Sequence, residues 1–231
     1  MGYIAISLSF IVMGVFFWCF YRDDPKTLGL KKFGSKEKFE TSNISADKAR
    51  SMPILWLISA TLAIAGFASS GSFLHLKNLF LSVGKDQFEA IVVLKWIWLP
   101  TFVFLISFGL FSDRLKVKTI LLVTLLSVSF TCLGLVTLNY SISKYLFIVG
   151  FGGTAATYTI TEAVAWVRIF GTAEMGEIKG IGARLILFIG GISPLCFSAS
   201  ISFFNSYSIM GYIVLALIVA TSTLIILDKT E

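Results

Sequence analysis

Ionisable side chains, among them Lys95, Glu162 and Arg184, fall within stretches that are largely apolar. Holding such a group inside a bilayer costs roughly 2.5–3.5 kcal/mol on insertion scales, so each needs a partner or a task. Lys95 shares a helical stripe with Phe88, Ile91, Val92, Trp98 and Phe102. A cation there would hold an anionic solute, or its long stem would snorkel to the interface beside Trp96 and Trp98. Glu162 shares a stripe with Thr154, Tyr158, Thr161 and Ala165, a small and polar face poorly suited to lipid. A carboxylate there would serve proton coupling or a gate, or would pair with a nearby cation. Arg184 lies at a similar depth, so a Glu162–Arg184 contact is expected. Lys95 and Glu162 differ in depth by about 15 Å on ideal helix geometry and make poor partners. His75, the single histidine, would titrate near neutral pH or rest among lipid headgroups.

The elements that carry these groups are apolar stretches near Tyr3–Tyr21, Pro53–Leu74, Phe88–Phe111, Thr119–Leu138, Tyr145–Val167, Ala183–Phe204 and Tyr207–Leu227. Each has the length needed to cross a bilayer as a helix, about 20 residues. The fold class that follows is an all-α membrane protein with seven transmembrane helices. Apolar residues make up 56% of the chain and charged ones 14%, too few charges for the surface of a soluble domain of this size. The net charge of +6 sits between the spans, where it orients helices; it does not point to nucleic acid. Cys19, Cys132 and Cys196 lie in three different spans, and their spacing resembles no ligand set. No phosphate-cradling loop, metal cluster or nucleophile–base pair stands out, so neither an enzyme nor a bound cofactor is expected.

Loop charge sets the expected orientation. Arg22–Met52 holds eight Lys/Arg, Ser112–Lys118 three and Arg168–Gly182 two, with Arg184 just inside the following span, while His75–Gln87 holds two, Asn139–Lys144 one and the last hairpin none. The positive-inside rule then places the amino terminus outside and the carboxyl terminus in the cytoplasm. The first span has no positive charge before it, the reverse of a signal peptide. Three regions are expected: a lone helix over 1–21, a cytoplasmic linker over 22–52, and a six-helix bundle over 53–231. Spans two to four start from the cytoplasm and five to seven from outside, a 3+3 inverted repeat of the kind found in secondary transporters.

Four motifs sharpen this reading. Gly109-Leu-Phe-Ser-Asp113-Arg114-Leu-Lys116-Val-Lys118 resembles the Gly-x-x-x-Asp-Arg loop signature of the major facilitator superfamily. Arg22-Asp-Asp-Pro25 through Gly29-Leu30 is similar to the stretch that closes that family's sixth helix. Ala165-Trp166-Val-Arg168-Ile-Phe170-Gly171, then Gly176-Glu-Ile-Lys179-Gly180, resembles its loop between helices ten and eleven. Gly190-Gly-Ile-Ser-Pro194 resembles its eleventh helix, as found in the bacterial organic-anion and monocarboxylate-like branches. The resemblance covers helices six to twelve of a twelve-helix carrier. Lys116-Val-Lys118 stands where the family has Gly followed by Arg.

The resemblance implies secondary transport of a small organic anion across a bacterial inner membrane by alternating access. A separate amino-terminal half-transporter would then be a partner, with the bilayer and the solute. Lys95, Tyr158 and Glu162 would contact solute; Gly109, Asp113, Arg114, Arg168 and Arg184 would form the gate. Asp113 is expected beside Arg168, close to the start of the sixth span, and Gly109 where two helices close together. Gly66–Ser72 is expected either as a helix-bending segment or as a packing face; Pro100 and Pro194 should kink their helices. The rival reading is a non-transporting remnant or a subunit of a larger membrane assembly.

Overall fold

The computed structural model describes residues 2–20 and 44–228, and every element it describes is helical. Most of the expected linker, residues 21–43, lies outside the described residues. The chain divides into two units, 1–40 and 41–231. The described part of the first is α1 (Gly2–Phe20), apolar throughout. The second holds α2 (Ala46–Ser51), α3 (Pro53–Leu74), α4 (Leu76–Leu81), α5 (Gln87–Trp96), α6 (Trp98–Ser112), α7 (Val117–Val136), α8 (Ser143–Phe170), α9 (Met175–Phe204) and α10 (Ser208–Leu227).

Among the described residues, five helical segments are long and apolar enough to cross a membrane: α3, α5–α6 taken together, α7, α9 and α10. The 28-residue α8 is long enough, but its threonines, glycines, Glu162 and Arg168 dilute its hydropathy. Helix starts and stops follow local chemistry. Pro53 opens α3, where a missing N–H costs nothing. The Asp86 carboxylate accepts the Phe88 N–H and caps α5. Gly171 (φ 79°) ends α8 and Asn205 (φ 55°) ends α9, both in positive-φ geometry that glycine and asparagine tolerate best.

Two helix pairs organise the bundle. The α5–α6 limb packs on α8, and α9 packs on α3; α7 and α10 contact each other, α7 lies along α8, and α10 touches α3. The α7–α8 seam is closed by small residues. A side chain at Gly150 would collide with the Thr131 backbone, and one at Gly134 would lie within 2.9 Å of Phe147 atoms. Two buried threonine pairs bridge this seam, Thr124 with Thr161 at 2.8 Å and Thr131 with Thr154 at 3.1 Å. The polar side of α8 that looked unsuited to lipid is therefore largely a packing seam. Only Tyr158 and Glu162 of that stripe remain part-exposed, while Thr154, Thr161 and Ala165 are buried.

Several boundaries differ from the sequence reading. The third span is interrupted at Ile97, three residues before Pro100, whose missing N–H leaves the Trp96 carbonyl without its helical donor. Gly152 of α8 fits against this break; a Cβ there would lie 2.7–2.9 Å from Pro100, Ile97 and Thr101. The sixth span begins at Met175 rather than Ala183, so most of the expected loop is helix. The end of the linker is also ordered. Ala46 N–H donates to the Glu174 carboxylate at 2.8 Å, Ile44 N–H to the Phe170 carbonyl at 3.2 Å, and α2 thereby docks on the α8–α9 turn. α3 runs unbroken through Gly66–Ser72, with Gly71 against Ser193 and Phe197 of α9, which favours the packing face over the bend.

Candidate functional site

The richest polar cluster lies where α8 ends and α9 begins. Arg168 sits in the last turn of α8, just before the Gly171 stop. Its Nη1 donates to the Ser112 and Leu115 carbonyls, both at 2.8 Å, and its Nη2 to Asp113 Oδ1 at 3.0 Å. The last carbonyls of a helix have no intrahelical donor, and a guanidinium there also suits the negative end of the dipole. Arg168 thus caps α6 and fastens its end to α8. The Asp113 side chain is 84% exposed, so the carbonyl contacts hold this junction more firmly than the ion pair does.

One and a half turns before Arg168, Glu162 forms a second set of contacts. Its carboxylate pairs with Lys179 at 3.2 Å and accepts the Trp166 Nε1–H at 3.0 Å; Lys179 also donates to the Glu162 carbonyl at 3.0 Å. Trp166 itself is buried against Gly182 of α9. Glu162 and Lys179 are each about one-third exposed, so the pair stands at the edge of the bundle with Tyr158 one turn away.

This arrangement corrects the expected Glu162–Arg184 contact. Because α9 starts at Met175, Lys179 falls in its second turn, level with Glu162. Arg184 lies further along α9, exposed and without an ion pair among the described residues. Arg114 is likewise exposed and unpaired among them. A Cβ at Gly109 would meet only Ile160, at 3.8 Å, an ordinary contact; no close helix approach depends on this glycine. Lys95 is exposed on α5, its ammonium 5.5 Å from the centre of the Trp96 ring. Ala90, Val93 and Ile97, the buried residues of that segment, lie on the other side of the helix. The solute-site trio therefore separates: Tyr158 and Glu162 share one face of α8, and Lys95 stands apart. Of the gating set, Arg168 and Asp113 meet, while Arg114 and Arg184 form no ion pair among the described residues.

The opposite end of the bundle has its own fastenings. His75 Nε2 lies 3.1 Å from the Pro194 carbonyl and Nδ1 3.4 Å from the Tyr207 hydroxyl, with the imidazole stacked on Phe197. With Nε2 donating to the carbonyl, Nδ1 accepts from Tyr207. The histidine thus ties α3 to α9 and α10 rather than resting among headgroups. Lys144 pairs with Glu89 at 3.0 Å, joining the starts of α8 and α5, and its hydrogen bond to Glu89 raises the Lys144 pKa. Lys85 donates to the Tyr140 carbonyl at 2.9 Å. The signal for Lys179 was present in the sequence, in the Gly176–Gly180 motif, but the later helix start concealed its depth. No group of three metal-ligating side chains occurs among the described residues.

No protein-family model matches the chain, and no curated protein shows detectable similarity to it.

Proposed function

We propose that the chain forms one half-bundle of a secondary carrier for a small organic anion, with its rocking motion about the fastened helix ends. The observation that carries this reading is the internal correspondence of the two helix pairs. α8 packs with the α5–α6 limb and α3 with α9, and the α5–α6 limb and α9 start at opposite ends of α8. Inverted repeats of this kind underlie alternating access. The resemblance of the Gly109–Lys118 and Ala165–Gly180 motifs to the major facilitator superfamily supports the same reading, as does the capping of α6 by Arg168.

In this reading the helix ends that carry Arg168, Asp113 and the α2 segment face the cytoplasm, as the loop charges require. A solute would meet the bundle at Tyr158, Glu162 and Lys179, with Lys179 supplying the cation in place of Lys95. Proton binding at Glu162 would release Lys179 for an anion, coupling the two. The cavity would be completed by a second half-bundle.

A second reading, a non-transporting subunit of a larger membrane assembly, is favoured by one observation. The two long limbs, α5–α6 and α9, expose wide apolar faces, including Trp98, Phe102, Leu187 and Leu195 at 63–73% of full exposure. Reconstitution separates the two. The full chain, alone and with a six-helix half-bundle encoded beside its gene, would be placed in proteoliposomes under a pH gradient. Saturable uptake of radiolabelled short-chain monocarboxylates, reduced at least about tenfold by Lys179→Gln, is expected for ion-pair loss at a binding site. Absence of saturable uptake in both preparations would leave the subunit reading in its place.

A further inference from the structure

Two apolar crevices open on the bundle surface, and five positions of their linings correspond. The first, about 480 Å³, lies between the α5–α6 limb and α8; the second, about 430 Å³, lies between α9, α3 and α10. Trp96, Pro100 and Val103 of the first match Leu185, Ile189 and Ile192 of the second, each 89 residues further along the chain. Tyr145 and Val149 of the first stand 85 residues after Ala60 and Ile64 of the second. The same 89-residue offset carries Lys95 onto Arg184. Both cations are exposed, and neither has an ion pair among the described residues.

Depth places each cation near an interface. The α5–α6 limb spans 26 residues and α9 spans 30, about 39 and 45 Å at 1.5 Å per residue, against a hydrocarbon core of about 30 Å. Each limb therefore overhangs the core at both ends. Lys95 follows the start of its limb by eight residues and Arg184 by nine. Both then lie only about 6–7 Å inside the hydrocarbon boundary, within reach of the headgroups for a long side chain. The limbs start at opposite ends of α8, since Glu89 pairs with Lys144 at its beginning and Lys179 with Glu162 toward its end. The cation-bearing ends of the two crevices thus face opposite leaflets.

We infer that the two crevices are paired phospholipid sites, one in each leaflet, each taking an acyl chain in its apolar cleft and an anionic headgroup on the neighbouring cation, Lys95 or Arg184. The pairing explains why these cations point away from the Glu162–Lys179 cluster. It does not depend on the transport reading.

Native mass spectrometry of the full chain, released from micelles holding equal phosphatidylglycerol and phosphatidylcholine, tests this. The unmodified chain should retain two phosphatidylglycerol molecules, each preferred about fivefold over phosphatidylcholine for one cation at the surface. Lys95→Gln and Arg184→Gln should each retain one, and the double variant should show no headgroup preference. Val103→Trp and Ile192→Trp, which fill the clefts and leave the cations in place, should each lose one lipid as well. Equal retention by the unmodified chain and both glutamine variants would overturn the proposal, as would retention indifferent to the two tryptophans. Displacement of the lipids by another protein chain cross-linking at Lys95 and Arg184 would make these faces a protein interface and overturn it too.

Discussion

The two long limbs take the same place in the bundle and are built differently. α9 runs unbroken for 30 residues through Pro194, and the Pro194 carbonyl is held by His75. The opposing limb breaks at Ile97 beside Pro100, and the break is seated on Gly152 of α8. Both limbs lie close to their partner helix, α9 through Gly71 and Gly182, the broken limb through Gly152. Close approach, rather than helix continuity, is thus the feature the two halves share. Where the backbone is interrupted, a single glycine with no room for a side chain seats the break; where it is continuous, Gly71 and Gly182 set the approach and the His75 bond to the Pro194 carbonyl adds to it.

Gly152→Leu should break this comparison most sharply. Its Cβ has backbone atoms of the limb within 2.9 Å, so the limb must move. Overpacking of this kind costs typically about 1–3 kcal/mol and more where backbone must shift. The melting temperature in detergent should fall by several degrees or the chain should fail to fold. Gly190→Leu, on the continuous limb where a Cβ meets open space, should shift it little. Equal losses would show that the glycines serve the membrane environment rather than the seam.

Arg168→Ala should rank next. It removes the charged donor from the Ser112 and Leu115 carbonyls, of which Ser112 keeps only the Leu115 N–H, and hydrogen bonds to a charged group are worth about 1.5–3 kcal/mol. Asp113→Asn should cost under about 1 kcal/mol, because that carboxylate is mostly exposed. Thermal unfolding of both variants gives the order; a larger effect from Asp113 would mean that the ion pair, not the cap, holds α6. His75→Phe retains the stacking on Phe197 and deletes the bond to Pro194, so it should cost about 1 kcal/mol. The smallest effect should come from Arg50→Met at the α2 dock, where the 3.4 Å pair with Glu177 is half-exposed on both sides.

Much of the bundle was legible because crossing a bilayer forces long apolar runs; α3, α7 and α10 lie within about two residues of their sequence bounds. What escaped detection was short or amphipathic. α2 is six residues, four of them polar, too short for a hydropathy signal, and it is held by contacts 127 and 128 residues away in sequence. The first two turns of α9 carry Glu177 and Lys179, so they look like loop on a hydropathy scale. That single shift moved Lys179 level with Glu162 and displaced Arg184 from the pair. The Arg168–Asp113 neighbourhood was legible through its motif, whereas the two carbonyls that anchor it depend on where α6 ends. The Lys95 stripe left a cavity-facing and a snorkelling cation equally open; the side of the helix that is buried is decided by packing against α8, which the stripe alone does not encode.

The opposed directions of the two helix pairs are the centre of this account, and labelling from one side of the membrane tests them most directly. With Cys19, Cys132 and Cys196 replaced by serine or alanine, single cysteines at Gly84 and Arg114 would be exposed to a membrane-impermeant maleimide in intact cells. Both positions lie in exposed or part-exposed turns, one at each end of the α5–α6 limb. The account predicts labelling of Gly84→Cys in intact cells and of Arg114→Cys only after permeabilisation. Labelling of both from the same side would mean that the α5–α6 limb does not cross the membrane, and the inverted repeat would be lost with it.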